Sequence, residues 1–181
     1  MLKNSENSWG WVSISIHWVS ALTIFGLFAL GLWMVELSYY DPWYRSAPDL
    51  HKSIGVSLLL LTLFRLFWRK INVTPLSLDS HTSFEKKTAN RVHKIIYLLM
   101  FLIMFSGYMI STADGRGIEV FGLFEVPALI YNIEKQEDVA GVIHFILALS
   151  LIVLVIVHML GALKHHFVDK DSTLKRMLGM C

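Results

Sequence analysis

Four long apolar stretches constrain this chain more than any other feature of its sequence. Each is close to the roughly 20 residues that an α-helix needs to cross a bilayer. They cover about residues 12–35, 51–68, 92–112 and 139–163. They account for a composition that is 55% hydrophobic and only 17% charged, and the connections between them are too short for a separate soluble domain. The sequence therefore predicts one membrane domain over residues 1–181, an all-α, integral membrane four-helix bundle.

The distribution of basic residues predicts the orientation of this bundle. If the N-terminus is cytoplasmic, that side and the helix ends next to it hold twelve of the sixteen Lys and Arg residues. The other side holds four, namely Arg45, Lys52, Arg116 and Lys135, against nine acidic residues, a net charge of −5. Because cytoplasmic loops carry an excess of Lys and Arg, we predict that both termini face the cytoplasm.

Four of the eight histidines lie inside or at the mouth of a predicted span, at matching depths. His17 and His158 are both close to the cytoplasmic ends of their spans, and His51 and His144 are close to the outer ends. A histidine in a bilayer is costly unless its ring nitrogens are bound. Two pairs at two depths predict two six-coordinate iron sites, with His17 paired to His158 and His51 paired to His144.

The spacing of His144 and His158 agrees with such an arrangement. Fourteen residues make close to four turns, so both side chains lie on one helix face, about 21 Å apart along the axis. No carboxylate or thiol joins either pair, which favours b-type haem over zinc. A c-type haem is excluded because the chain has no CxxCH motif. Small residues near the ligands fit a macrocycle between helices, and these are Gly55, Gly141 and Gly161.

Other polar residues in or near the spans are weaker candidates. Arg65 lies inside the second span, where a charge is a functional candidate and a haem propionate is a suitable partner. Arg45 and Lys52 flank His51 and are candidates for a propionate of the outer haem. His81 lies in a polar loop, where we expect it to be solvated. His93 begins the third span, with no partner of matching depth left for it.

Five segments, taken in order, resemble the bacterial cytochrome b561 family, and within it the superoxide:ubiquinone oxidoreductases. They are "ISIHW" at 14–18, "LHKSIG" at 50–55, "LFRLFWR" at 63–69, "HKIIYLLMFLIMFSGY" at 93–108 and "HMLGALKHHFVDKDSTLKRML" at 158–178. The resemblance implies a protein of the bacterial inner membrane with two haem b groups. It places His17 and His158 on the cytoplasmic haem, and His51 and His144 on the outer one.

The function that the resemblance implies is electron transfer to ubiquinone from a periplasmic donor, either superoxide or a redox protein. We expect the quinone near the cytoplasmic side, at Lys164, His165, His166 and Arg69. One alternative is a cytochrome b subunit that anchors a hydrogenase or dehydrogenase complex. The other is a haem-free scaffold or transporter whose histidines bond between helices. No P-loop, GxGxxG or HExxH motif is present, and no nucleic-acid partner is expected.

Overall fold

Long α-helices make up most of the structure, a computed structural model that describes residues 1–78 and 80–180. The helices are α1 (Trp11–Met34), α2 (Ser46–Ile71), α3 (Ser83–Ser111), α4 (Gln136–Phe167) and the short α5 (Thr173–Met177). The first four are long and apolar enough to cross a membrane, which confirms the predicted all-α membrane fold. The largest difference from the predicted spans is at α3, which begins nine residues earlier than expected.

Large apolar side chains remain exposed along these helices. Leu22 is 70% exposed, Val142 62% and Leu60 55%. A helix on the surface of a water-soluble protein turns such side chains toward its core, whereas in a bilayer they contact lipid. The buried Ser20 donates its hydroxyl to the carbonyl of Ile16 at 2.6 Å, so its polar group is satisfied within the helix, as a bilayer requires. The chain is therefore a multi-pass membrane protein.

A β-hairpin interrupts the connection between α3 and α4. Its strands, β1 (Ile118–Val120) and β2 (Phe124–Val126), pair antiparallel. The turn holds Phe121 and Gly122 at positive φ, a backbone conformation that fits the twist of a tight hairpin. The hydroxyl oxygen of Ser53 in α2 accepts a hydrogen bond from the backbone N–H of Phe121 at 3.1 Å. The sequence predicts no strand here because three residues are too few for a period of two to be recognised.

The chain forms two compact units, and each of the four long helices contributes residues to both. The first unit comprises Met1–Ala21, Leu61–Tyr97 and Val153–Cys181, and the second comprises Leu22–Leu60 and Leu98–Ile152.

In the first unit, segments outside the long helices are held together through backbone carbonyls. The N–H of Leu76 donates to the carbonyl of Glu6 at 2.8 Å. Arg176 donates to the carbonyl of Leu76 at 2.8 Å, and the indole N–H of Trp18 donates to the carbonyl of Met177 at 2.8 Å. These bonds fix the N-terminal segment, the 72–82 loop and the C-terminal tail to one another.

In the second unit, buried polar side chains fix the start of α4. The Thr112 hydroxyl, fully buried, donates to the carbonyl of Ile130 at 2.9 Å. Gln136 donates to the carbonyls of Met109 at 2.9 Å and Ile130 at 3.2 Å. The end of α3 and the start of α4 are thereby set against each other, which determines where the side chains of α4 lie relative to α3.

Candidate functional site

The second unit brings His51 of α2 and His144 of α4 together, and we call these two residues the second histidine group. Their ring centroids are 6.3 Å apart. Metal–imidazole bonds are about 2.0 Å and the ring centroid is roughly 1.1 Å from each ring nitrogen, so two imidazoles on opposite sides of one ion have centroids about 6.3 Å apart. The observed centroid separation equals the one expected for two imidazoles that share an ion.

Hydrogen bonding fixes which nitrogen of His144 carries the proton. Its Nδ1 lies 3.0 Å from the carbonyl oxygen of Ile103 and 3.1 Å from the hydroxyl of Ser106. The Ser106 hydroxyl itself donates to the Ile103 carbonyl at 2.9 Å. A carbonyl only accepts, so Nδ1 is the protonated nitrogen and Nε2 keeps its lone pair. Histidines that bind metals are usually oriented by such a bond to a carbonyl.

Two glycines lie directly against these histidine rings. A Cβ at Gly31 would lie 3.3 Å from Cε1 of His51, and one at Gly107 would lie 3.1 Å from Cε1 of His144. A larger residue at either position would therefore press on the ring. The glycines singled out from the sequence are different. Apart from their own helical turns, no atom of the described residues lies within 4 Å of the position that a Cβ would take at Gly55, Gly141 or Gly161.

The residues of the second histidine group fit a haem iron. The ring separation matches two axial ligands, and His144 has a free Nε2. The Nδ1 of His51 is buried and makes no hydrogen bond to any part of the chain that the structure describes. A buried ring nitrogen without a partner is one that a bound group or its hydrogen-bonding atoms would satisfy.

The first unit holds a larger cluster, the first histidine group, formed by His17 of α1, His93 of α3 and His158 of α4. The rings of His93 and His158 have centroids 5.1 Å apart and planes inclined by 66°, and His17 belongs to the same unit. A separation of 5.1 Å is shorter than the approximately 6.3 Å of two rings that share one ion. His93 therefore packs edge-on against His158 and does not face it across an ion.

Arg65 of α2 determines the protonation of His17. Its Nη2 donates to Nδ1 of His17 at 3.0 Å, and its guanidinium lies 5.7 Å from the ring centroid of Tyr97. Arginine only donates, so Nδ1 of His17 holds the lone pair and Nε2 holds the proton of the neutral ring. This is the opposite tautomer to that of His144. His17 fits an iron ligand through Nε2 once Arg65 gives up this hydrogen bond.

The sequence provides no partner of matching depth for His93, although the structure places it beside His158. The predicted span begins at residue 92, which places His93 at a membrane edge, whereas α3 begins at Ser83 and His93 lies in its third turn. A local signal for the earlier start exists. Thr82 and Glu85 form a reciprocal capping box. The backbone N–H of Glu85 donates to the Thr82 hydroxyl at 3.2 Å, and the backbone N–H of Thr82 donates to the Glu85 carboxylate at 2.9 Å. The pattern Thr-x-x-Glu is typical of a helix N-terminus.

Of the four residues predicted for a quinone site, Lys164 and His165 are linked through a shared carboxylate. Lys164 forms ion pairs with Glu85 at 2.9 Å and Asp169 at 2.8 Å, and Nδ1 of His165 lies 2.7 Å from the same Asp169 carboxylate. The Nδ1 of His166 is buried and, within residues 1–78 and 80–180, unbonded. Arg69 is exposed, and no hydrogen bond or ion pair links it to the other three in the described structure.

The prediction that His81 is solvated is wrong. Its side chain is 17% exposed, and Nε2 lies 2.9 Å from Asp171 and 3.1 Å from the Thr173 hydroxyl. Burial by itself raises the pKa of Asp171, but hydrogen bonds from Thr173 and His81 and the nearby charge of His165 outweigh it, so this pKa lies below its ordinary value. Hydropathy does not show that the tail after α4 folds back over the loop that carries His81.

Arg45 and Lys52 were predicted to hold a propionate beside His51. Lys52 forms an ion pair with Asp49 at 2.7 Å, one helical turn earlier, and Arg45 is exposed at the start of α2. Their role toward a haem stays a prediction.

Apolar membrane helices that carry histidines inside the spans are typical of membrane-embedded b-type cytochromes. The chain belongs to the prokaryotic cytochrome b561 family, whose model matches residues 8–180. It is 52% identical over 176 residues to "Cytochrome b561 homolog 2" of Escherichia coli K12, covering 97% of this chain and 94% of that protein. It is 30% identical over 168 residues to "Probable superoxide oxidase CybB" of Yersinia pestis, covering 92% and 93%. It is 24% identical over 185 residues to "Cytochrome b561 homolog 1" of E. coli K12, covering 95% and 97%.

These comparisons confirm the family that five sequence segments indicated. Membership makes the chain a membrane cytochrome of an electron-transfer family that binds haem b. A haem-free scaffold or transporter is not consistent with this family.

Proposed function

We propose that this protein is a di-haem b cytochrome that transfers electrons from superoxide to ubiquinone. Two superoxide anions each give up one electron and leave as dioxygen, and one ubiquinone takes both electrons and two protons to become ubiquinol. When bound, haem b supplies a one-electron carrier in a fixed position. The observation that carries the proposal is the 6.3 Å separation of the His51 and His144 rings, with Nε2 of His144 left free by the bond to Ile103.

Each histidine group holds one haem in this proposal. His51 and His144 would hold one haem iron, His17 and His158 would hold the other, and α4 would contribute one residue to each pair. His93 packs against His158 and orients its ring. Arg65, which now donates to His17 at 3.0 Å, would be available to bind a haem propionate. At Gly55, Gly141 and Gly161 a Cβ would meet no described atom outside its own helical turn within 4 Å, which leaves room for a flat group beside these helices.

Superoxide is proposed as the donor because a relative with 30% identity carries the name of a probable superoxide oxidase. The proposed outer loops oppose the approach of an anion, since their net charge is −5. Two of their four basic residues are also neutralised locally, as Lys52 pairs with Asp49 and Arg116 with Asp114. Electrostatic steering therefore contributes little over long distances, and capture depends on the groups next to His51.

Ubiquinone is proposed to bind at Lys164, His165, His166 and Arg69, where α2 and α4 end. Quinone oxygens need hydrogen-bond donors, and their reduction consumes two protons. The unbonded, buried Nδ1 of His166 supports a role as one donor. Lys164 and His165 share the Asp169 carboxylate, which links the site to titratable groups outside the membrane. With both termini cytoplasmic in the bacterial inner membrane, protons enter from the cytoplasm.

Haem content is the first test. The protein is purified in detergent, and haem per chain is measured as the pyridine haemochrome together with a reduced-minus-oxidised spectrum. We expect two haem b per chain. A value of one would restrict binding to the second histidine group, and a value of zero after expression with ample haem would refute the proposal.

The second test is the reaction with superoxide. Oxidised protein receives a steady flux of superoxide and excess short-chain ubiquinone, and haem reduction and ubiquinol are followed with time. We expect both to appear faster than spontaneous dismutation allows, and superoxide dismutase to abolish both. If the haems are present and reducible but do not respond to superoxide, the donor is another molecule, such as a periplasmic redox protein.

A further inference from the structure

We propose that His81, His165 and Asp171 form a binding site for one divalent transition-metal ion of the zinc class. The three residues lie in the first unit but belong to no proposed axial ligand pair. They come from three segments: the 72–82 loop, the last turn of α4 and the tail before α5. The site is therefore separate from the haem ligands, and it shares only His165 with the residues proposed to bind the quinone.

The donor atoms of these three residues already lie at the spacing of a metal site. One carboxylate oxygen of Asp171, Oδ2, is 2.9 Å from Nε2 of His81 and 3.4 Å from Nδ1 of His165. All three donor atoms lie within 4.8 Å of one another. Ligands in a tetrahedron with bonds of about 2.0–2.1 Å are roughly 3.4 Å apart. An ion can thus bond all three with small shifts of the side chains.

The surrounding contacts orient the ligands of the proposed site. The Thr173 N–H donates to Asp171 Oδ1 at 2.8 Å, which turns Oδ2 toward the histidines. The Asp171 N–H donates to the carbonyl of His165 at 3.1 Å, so the tail is fixed to the end of α4. The Nδ1 of His165 lies 2.7 Å from Oδ2 of Asp169, so an ion bound here would replace that contact.

The types of donor atom at this site favour zinc over Mg²⁺ and Ca²⁺. Two imidazoles and one carboxylate are the ligand set of several zinc sites, with the fourth position left to water. Mg²⁺ and Ca²⁺ prefer oxygen ligands alone. A second, overlapping set, Glu85, His165 and Asp169, is less suitable because Lys164 forms ion pairs with both of its carboxylates.

An ion at this site would link three segments that are far apart in sequence. His81 is 84 residues from His165, and hydrogen bonds and ring contact now join them through Asp171. Because the three ligands meet only in the folded chain, the ion binds the folded state preferentially and stabilises the attachment of the tail.

Zinc binding by the intact haem-containing protein tests this proposal. Protein treated with EDTA, which leaves haem iron in place, is equilibrated with Zn²⁺, and the bound zinc is counted by mass spectrometry. X-ray absorption at the zinc edge then identifies the ligands without interference from iron. We expect one zinc per chain with two imidazole neighbours, retained in excess Mg²⁺ and Ca²⁺. No bound zinc, or zinc without imidazole neighbours, would overturn the proposal.

Three variants separate this site from adventitious binding. His81→Asn, His165→Asn and Asp171→Asn should each weaken zinc binding by at least about tenfold. Asp171→Asn keeps an oxygen that can accept from the Thr173 N–H, so it preserves the tail. The matched control is His166→Asn, the adjacent histidine, which should bind zinc as the unaltered chain does. Unchanged haem content in each variant verifies that it is folded. Equal zinc affinity in all four variants would refute the site.

Discussion

Nδ1 of His144 lies 3.0 Å from the carbonyl oxygen of Ile103, on the preceding long helix. This bond leaves Nε2 of His144 as a free lone pair, which is the state of an iron ligand. His17 has the opposite protonation, because Arg65 donates to its Nδ1. The two histidine groups are therefore prepared for a ligand to different degrees, although the sequence suggested two equivalent pairs.

Substitution of Gly107 should remove the haem of the second histidine group. A Cβ at this position would lie 3.1 Å from Cε1 of His144, so Gly107→Val must displace the ring or the helix. We expect haem per chain to fall from two to one, measured as the pyridine haemochrome. Gly26→Ala is the control, because in the described part of the chain no atom outside its own helical turn lies within 4 Å of a Cβ there. Full haem content in Gly107→Val would show that the ring of His144 does not need its present position.

Replacement of single histidines should remove one haem at a time. His144→Leu should lose the haem of the second group and keep the other, and His158→Leu should do the reverse. His93→Leu should keep two haems, because His93 packs on a ligand without being one. Potentiometric titration shows which component remains. Loss of a haem in His93→Leu together with its retention in His17→Leu would instead assign His93 as the ligand.

Much of the fold follows from hydropathy, since a bilayer demands helices of a certain length and apolar surface. The four long helices could be read in this way, and so could the grouping of His17 with His158 and of His51 with His144 in separate units. Depth is measured along the chain, so a one-dimensional pattern is enough to determine it.

Rotation of the helices about their axes is not visible in such a pattern. Gly31 and Gly107 contact histidines on other helices, and sequence distance from a ligand pointed to Gly55 and Gly141 instead. The position of His93 within α3 was missed because the first turns of this helix are polar, and a hydropathy scale detects only its apolar part. Only contacts between helices distant in the chain reveal these residues.

Arg65 should set the potential of the haem in the first histidine group. A positive charge close to a haem favours the reduced, less positive form, so Arg65→Met should lower one of the two midpoint potentials, on the order of tens of mV. Arg65→Lys keeps the charge and is the control. Redox titration followed at the haem absorption bands measures both. If neither potential changes in Arg65→Met, the guanidinium does not act on a haem.

The reaction with superoxide should become faster as salt is added. The outer loops carry a net charge of −5, so their field repels an anion, and salt screens that repulsion over a Debye length of about 10 Å at 0.1 M. We expect the second-order rate constant of haem reduction to rise between roughly 10 mM and 150 mM ionic strength. Lys52→Gln should lower the rate, because Lys52 is adjacent to His51, whereas Lys135→Gln is the control of equal charge change. A rate that falls with salt would mean that local positive charge at Arg45 and Lys52 outweighs the acidic loops, and that superoxide is steered to the site.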